Sequence, residues 1–145
     1  MIYTADNLDR FLWDVQEYRF IDEVEVQQDQ AKGIYYVDPN SWYFKMIPTM
    51  PIGFVMESVM QTGIVLYNSQ IDVPEKNMIP VELKNVKVYG KVWPGDILVS
   101  NTVFDRSRHG ILDFHGLATV ETNEVCDFVF RLVSQSCINR FKLVQ

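Results

Sequence analysis

A single acid, Glu57, interrupts the apolar stretch at residues 50–67. Gln61 follows four residues later, and Ser58 and Thr62 repeat that spacing, so a helix would carry all four as one narrow polar stripe. An ionised carboxylate inside a protein is costly without a partner, and burial shifts its pKa. Glu57 is therefore the candidate acid or base, with Gln61 as the second candidate catalytic residue. The alternative is a structural acid that bonds to backbone or to a partner subunit.

Other residue types that commonly do chemistry are sparse. The only histidines are His109, in a predicted hairpin turn, and His115, in the middle of a predicted strand. This number and spacing indicate neither a metal site nor a Ser-His-Asp triad, so we expect no metal and no cofactor. Cys126 and Cys137 form no CxxC motif. Cys126 alternates with polar residues, which favours a buried structural thiol.

The stretch that carries Glu57 predicts a central helix from Ile52 to Asn68. Pro51 fits the first turn, where its missing N–H would have no partner. Apolar residues cover the circumference, which is typical of a buried helix; they are Phe54, Val55, Met56, Val59, Met60, Ile64, Val65 and Leu66. N–H groups at the helix start, near Ile52 and Gly53, could polarise a carbonyl group, and Gly53 would permit close approach.

The chain before this helix predicts one further helix and one hairpin. Apolar periodicity predicts an amphipathic helix from Thr4 to Tyr18. Alternation predicts a strand from Phe20 to Gln27 and a returning strand from Ile34 to Val37, with residues 29–33 as the turn. An irregular, aromatic segment, residues 38–50, then leads to the central helix.

Four strand patterns follow the central helix, separated by short turns rich in Pro, Gly and Asn. They cover Val81–Val92, Ile97–Phe104, Ile111–Val120 and Val125–Val133. Consecutive strands with short connections predict an antiparallel meander. The order helix, hairpin, buried helix, meander predicts an α+β protein of the hot-dog fold, a curved antiparallel sheet wrapped around a central buried helix.

Composition and charge narrow the class of protein. The length predicts one domain over residues 1–145, and the net charge of −6 argues against nucleic acid as a partner. No apolar run is long enough to cross a bilayer, so no membrane span is expected. The start carries Asp6 and Asp9 where a secretory signal has basic and apolar regions, so a cytoplasmic location is expected.

Three short segments resemble motifs of the 3-hydroxyacyl-acyl-carrier-protein dehydratases of the FabA/FabZ type. They are residues 38–45 (DPNSWYFK), residues 50–61 (MPIGFVMESVMQ) and residues 91–96 (KVWPGD). The likeness extends in element order from Phe20 to Ser134. It is closest to the dehydratase-like domains of polyunsaturated fatty acid and polyketide synthases.

The resemblance implies a site with three parts. In the family a histidine acts as base at the substrate's α-carbon, a helix carboxylate handles the hydroxyl, and an N–H at the helix start holds the thioester carbonyl. The carboxylate position corresponds to Glu57 and the glutamine one turn later to Gln61. The segment between Lys45 and Pro51 is shorter than the family pattern and has no histidine. We expect neither remaining histidine to replace the base.

The same resemblance suggests which residues contact the substrate. Ile52 stands where the family has a glycine after the proline, and Gly53 follows. Trp42 and Phe44, in the aromatic segment, either line an acyl tunnel or belong to the core. The predicted substrate-binding residues are therefore Ile52, Gly53, Phe44 and Trp42.

The predicted function is a dehydratase-like protein that acts on or binds 3-hydroxyacyl thioesters in fatty acid or polyketide biosynthesis. The expected partners are an acyl thioester on acyl carrier protein or coenzyme A, the carrier protein itself, and a second copy in a homodimer. A basic set forms a candidate carrier-docking patch or a solvated strand face; it comprises Lys84, Lys87, Lys91, Arg106 and Arg108. The alternatives are an acyl thioesterase that uses Glu57 and a non-catalytic subunit that binds acyl chains or pairs with an active partner.

Overall fold

The central helix, α2, covers Ile52–Asn68, as the sequence predicts, with Pro51 as its N-cap. Residues 58–66 of the helix are buried on every side, whereas Ile52 and Gly53 are exposed. The helix is therefore enclosed along its later turns only, and its first turn reaches the surface.

A seven-stranded antiparallel sheet packs around α2 in the computed structural model, which describes residues 1–12 and 16–138. The strands are β1 (Ile2–Tyr3), β2 (Glu23–Gln27), β3 (Gln30–Tyr36), β4 (Met78–Val88), β5 (Ile97–Arg108), β6 (Ile111–Val120) and β7 (Asn123–Ser134). Their spatial order is β1-β2-β3-β5-β6-β7-β4. This arrangement is the α+β hot-dog fold that the sequence predicts.

The predicted helix from Thr4 to Tyr18 is wrong in its extent. The first helix, α1, covers only Ala5–Leu8. The N–H groups of Arg10 and Phe11 then bond carbonyls three residues back, and the chain turns. This turn brings Phe11 into the core, where it is buried. A separate 3₁₀ helix covers Gln16–Tyr18, and residues 13–15 of the predicted helix lie outside the described ranges.

The prediction of a turn at residues 29–33 is wrong, because the observed turn lies nearer the N-terminus. The turn between β2 and β3 consists of Gln28 and Asp29, and Gln28 has a positive φ of 55°. Gly33, which suggested the turn, lies inside β3. A glycine is required there because a Cβ would overlap the Thr62 side chain on α2.

Only three of the four predicted meander strands are consecutive neighbours. β5, β6 and β7 form the meander, but β4 pairs with β7 at the sheet edge, where Val88 faces Cys126. The connection at residues 89–96 crosses to β5, and Gly95 N–H bonds the Val37 carbonyl on the way. β4 also begins and ends earlier than its sequence pattern, because residues 89–92 belong to this crossing.

A buried polar seam holds α2 against β5. Ser58 Oγ lies 3.1 Å from Ser100 Oγ, and Thr102 Oγ1 donates to the Val59 carbonyl at 3.0 Å. Within α2, Thr62 Oγ1 donates to the Ser58 carbonyl at 2.8 Å, and the Thr62 side chain packs against Gly33 of β3. Ser58 and Thr62, one half of the polar stripe in the sequence, therefore face the sheet and fix the helix rather than forming a site.

Both cysteines are free and buried. Burial raises the pKa of the Cys126 thiol to about 11, so this thiol stays protonated at neutral pH. The prediction of a buried structural thiol is confirmed for Cys126.

Candidate functional site

A groove of about 330 Å³ runs along one face of α2, and Glu57 lines it. Gln61 and Ile64 follow at spacings of four and three residues, so the same helix face supplies all three side chains. Met78 and Ile79 at the start of β4 form part of the opposite wall. Glu57 is half-buried rather than enclosed, which corrects the expectation of an acid inside the core. A carboxylate at the wall of a partly apolar groove can reach a bound ligand.

Gln61 is 3% exposed, and both ends of its amide bond the backbone. Its Oε1 accepts from Phe20 N–H at 2.9 Å, and its Nε2 donates to the Tyr18 carbonyl at 2.8 Å. Gln61 therefore ties the segment before β2 to α2, one turn from Glu57.

The start of α2 leaves backbone donors at the surface. The first helical hydrogen bonds run from Phe54 and Val55 N–H to the Pro51 carbonyl, at 2.9 and 3.2 Å. The N–H groups of Ile52 and Gly53 precede them and have no intrahelical acceptor. Apart from its chain neighbours and the backbone of α2, no atom lies within 4 Å of a Cβ built on Gly53. A carbonyl oxygen can therefore approach this end of the helix closely.

The structure places Trp42 and Phe44 near the helix start, not in the groove. The Trp42 ring lies 5.8 Å from Phe54, and its Nε1 donates to the Glu17 carbonyl at 3.3 Å. Phe44 packs against the buried Tyr43, with ring centroids 4.6 Å apart. These aromatics form the surroundings of the first turn of α2.

Neither histidine lines the groove. His115 lies in β6 next to Gly116, which faces α2, so alternation along the strand turns His115 to the outer face. There His115 Nδ1 lies 2.9 Å from the Asp105 carboxylate. His109 lies in the hairpin turn between β5 and β6, with a φ of 52°. A histidine base is thus absent from the part of the groove that the structure describes.

The predicted basic patch is divided by the fold. Arg106 forms an ion pair with Asp113 in a charged cleft on the outer face of the sheet, and Lys84 lines the same cleft. Arg108 lies level with Val133 of β7, whereas Lys87 of β4 lies opposite Asp127 of β7 in the strand register. Positions six residues apart on a strand are separated by about 20 Å, so Lys87 and Arg108 do not contact the same group of a partner.

Sequence reasoning missed three polar residues of the groove, namely Lys76, Asn77 and Gln135. Two come from the segment before β4 and one from the chain after β7, and no local motif connects them. In the described ranges no group of three or more His, Cys, Asp or Glu side chains could hold a metal ion. The described helices are also too short or too polar to cross a membrane.

Comparison with known families adds an independent observation. The family model described as a FabA-like domain matches residues 15–129. The chain belongs to the FabA-like family. This confirms the resemblance drawn from the three segments of the sequence.

Curated relatives of this FabA-like chain carry the name 3-hydroxyacyl-[acyl-carrier-protein] dehydratase FabZ. The protein from Aeromonas hydrophila is 28% identical over 77% of this chain and 74% of its own length. The protein from Roseiflexus castenholzii is 33% identical over 59% of each chain, so this alignment spans about three fifths of that relative.

Solved structures confirm the fold at low sequence identity. The dehydratase heterocomplex ApeI:P from Xenorhabdus doucetiae matches with a TM-score of 0.80 and 12% identity, covering 95% of this chain and 97% of the other. The HP0420 homologue from Helicobacter felis matches with a TM-score of 0.67 and 10% identity, covering 87% and 98%.

Proposed function

We propose that this FabA-like chain binds 3-hydroxyacyl thioesters in the α2 groove and that Glu57 acts on the substrate hydroxyl during dehydration. The observation that supports this most directly is the position of Glu57, half-buried at the groove five residues after the exposed start of α2. Five helical residues rise about 7 Å. In the substrate, carbons C1 to C3 separate the thioester carbonyl from the 3-hydroxyl. These three carbons, with one hydrogen bond of about 3 Å at each end, span a similar distance. The thioester carbonyl can thus bond Ile52 or Gly53 N–H while the 3-hydroxyl reaches Glu57.

The proposed reaction breaks the C2–H and C3–O bonds of the substrate and forms a C2=C3 double bond. A base takes the C2 proton, and the electron pair of that bond becomes the double bond. The protonated Glu57 carboxyl gives its proton to the hydroxyl, which leaves as water. Helix N–H groups stabilise the negative charge that develops on the thioester oxygen. The proton then passes from the base to Glu57 through solvent.

Among the described residues, no histidine lies at the groove to act as the base. A positioned base contributes about 10²–10⁴-fold to such a step, and His109 and His115 both lie elsewhere. We infer that a second, histidine-bearing subunit supplies it. The name of the Xenorhabdus structure, a dehydratase heterocomplex, supports a role for this chain as one subunit of such a pair.

The test compares wild type with Glu57→Gln, each assembled with a histidine-bearing FabA-like subunit. Conversion of 3-hydroxyacyl to enoyl thioester is followed on acyl carrier protein and on coenzyme A. We expect Glu57→Gln to lower the rate by about 10²–10⁴-fold while substrate still binds. The matched control, Glu124→Gln, changes an exposed acid at the start of β7 and should leave the rate unchanged. Full dehydration by the Glu57→Gln complex would exclude Glu57 from the reaction.

A thioesterase is the second candidate function. The described part of the site holds a carboxylate and helix N–H groups that have no intrahelical acceptor, but no histidine. Ionised Glu57 would take a proton from water, the oxygen would attack the thioester carbon, and the C–S bond would break while Glu57 returns that proton to the sulfur, which leaves as the thiol. Thiol release from a saturated acyl thioester, lost in Glu57→Gln, would favour this candidate. The saturated substrate distinguishes it from dehydration, since it has no hydroxyl to eliminate.

A further inference from the structure

We propose, building on the function above, that the groove along α2 has a closed end and that this end limits the substrates to acyl chains of up to about twelve carbons. In the proposed function the thioester carbonyl lies at the start of α2 and C3 lies at Glu57. The rest of the acyl chain then runs along the groove toward the C-terminal end of the helix. The class of substrate is therefore a medium-chain 3-hydroxyacyl thioester.

The floor of the groove is apolar. Ile64 of α2 and Leu12 line it and are 8% and 4% exposed. Met78 and Ile79 at the start of β4 line the other side and are partly buried. Gln61, the polar member of the floor, bonds the backbone at both ends of its amide. A hydrocarbon chain that lies against these side chains loses contact with water, which favours its binding.

The groove ends at Asn68, which is 1% exposed. Asn68 follows Glu57 by about three helical turns, so both lie on the same face of α2. Its Nδ2 donates to the Phe11 carbonyl at 2.9 Å and to the Glu75 carbonyl at 3.0 Å, and its Oδ1 accepts from Glu75 N–H at 2.9 Å. The two chain segments that continue into the walls of the groove therefore meet over Asn68, and this end is closed.

Two distances give the length of the groove. The helix rises about 16 Å from Glu57 to Asn68. On the opposite wall, the stretch from Glu75, which bonds Asn68, to Ile79 spans at most about 14 Å.

This length sets the limit on the acyl chain. A terminal methyl group stays about 4 Å from the atoms of the closed end, which leaves about 10–12 Å for the carbons beyond C3. An extended chain advances about 1.2 Å per bond. About eight to ten carbons beyond C3 therefore fill the groove, and a longer chain meets the buried contacts of Asn68.

Binding calorimetry with a series of 3-hydroxyacyl coenzyme A thioesters tests the proposal. The series has even chain lengths from four to sixteen carbons and is used below the concentrations at which micelles form. We expect the affinity of wild type to rise about twofold for each added methylene up to about twelve carbons, which is half the free energy of complete burial because one side of the groove is open. Affinity should fall at fourteen and sixteen carbons, because the closed end leaves no room.

Ile64→Trp should move the highest affinity to about eight carbons, because position 64 lies between Glu57 and the closed end, about 10 Å along the helix. If Ile64→Trp does not fold, Met78→Trp fills the groove from the β4 side and should also shorten the preferred chain. The matched control is Ile97→Trp, on β5 outside the groove, where the side chain is 49% exposed. This control should keep the wild-type profile.

Each other result has a defined meaning. Affinity that keeps rising to sixteen carbons, or that does not depend on chain length, would overturn the closed end while leaving the acyl-thioester site intact. A wild-type profile in the folded tryptophan variant would show that the limit lies elsewhere. If no member of the series binds, the proposed function fails as well, so the two failures are distinguishable.

Discussion

Asp113 of β6 lies between two guanidinium groups on the outer face of the sheet. Arg131 Nε donates to its carboxylate at 2.7 Å, and Arg106 Nε donates at 2.9 Å. The Asp113 side chain is 14% exposed, so solvent screens these contacts only in part. The hydrogen bond from Arg131 is the largest effect and, with that from Arg106, holds the pKa of Asp113 below its ordinary value despite burial.

Asp113→Asn should therefore destabilise the fold near neutral pH by about 1 kcal/mol. Because the folded-state pKa lies below the unfolded one, the carboxylate stabilises the fold above about pH 4, and this contribution is lost as the pH falls through the folded-state pKa. Urea unfolding of wild type and variant from about pH 7 to about pH 3 measures the difference. The two free energies should converge in acid. A difference that stays constant with pH, or one shared by the exposed loop variant Asp72→Asn, would contradict this account.

Also at the residue scale, the sequence indicated Glu57 as a site residue but did not show what the nearby Gln61 does. A lone acid in an apolar stretch is visible without any structure. Gln61 looks equivalent in sequence, yet it bonds backbone at both ends of its amide, and this depends on where the segment before β2 lies. Its catalytic role stays a prediction, and the structure favours a positioning role.

At the scale of elements, two glycines let the sheet approach α2. A Cβ at Gly33 would overlap Thr62, and one at Gly116 would overlap Val59. The sequence suggested a turn at Gly33 because glycine is common in turns. It could not show that glycine was needed there for close packing, since Thr62 of α2 lies almost thirty residues further along the chain.

Gly116→Ala should destabilise the fold by about 1–3 kcal/mol, because Val59 is β-branched, buried and unable to move aside. Adding Val59→Ala to Gly116→Ala should give less destabilisation than the sum of the single changes, since the shorter side chain removes the overlap. Denaturant unfolding of the four proteins measures this coupling. Gly53→Ala, at a position where an added Cβ would meet no side chain and no other element, is the control and should not destabilise the fold. Additive single changes would show that the overlap is relieved elsewhere.

At the scale of the whole molecule, the strand patterns predicted most of the sheet but not its order. Ile111–Val120 is found with the predicted bounds, because its alternation reflects one buried and one open face. The sequence pattern placed β4 beside β5. The segment at residues 89–96 instead crosses to β5, and β4 pairs with β7 at the sheet edge. The polar residues of the groove were missed for a similar reason: Lys76, Asn77 and Gln135 line one groove only because β4 pairs with β7.

The edge position of β4 predicts how the chain assembles. Val81, Leu83, Val86 and Val88 are between 41% and 55% exposed along this strand. One side of β4 also has no strand beside it in the described sheet. Exposed apolar edges of this kind pair with another chain. We therefore predict that the isolated chain forms a homodimer through β4, the same edge that a different subunit would occupy in a mixed complex.

Val88→Lys should shift the isolated chain from dimer to monomer, because a charge on an edge strand opposes pairing. Val88 is 55% exposed, so the lysine can extend into water without disturbing the core. Sedimentation equilibrium over a range of concentrations measures the mass of wild type and variant. Val73→Lys, at a loop position that is 79% exposed, is the matched control and should leave the mass unchanged. A wild-type monomer, or a Val88→Lys dimer as stable as wild type, would show that the chain does not self-associate through β4.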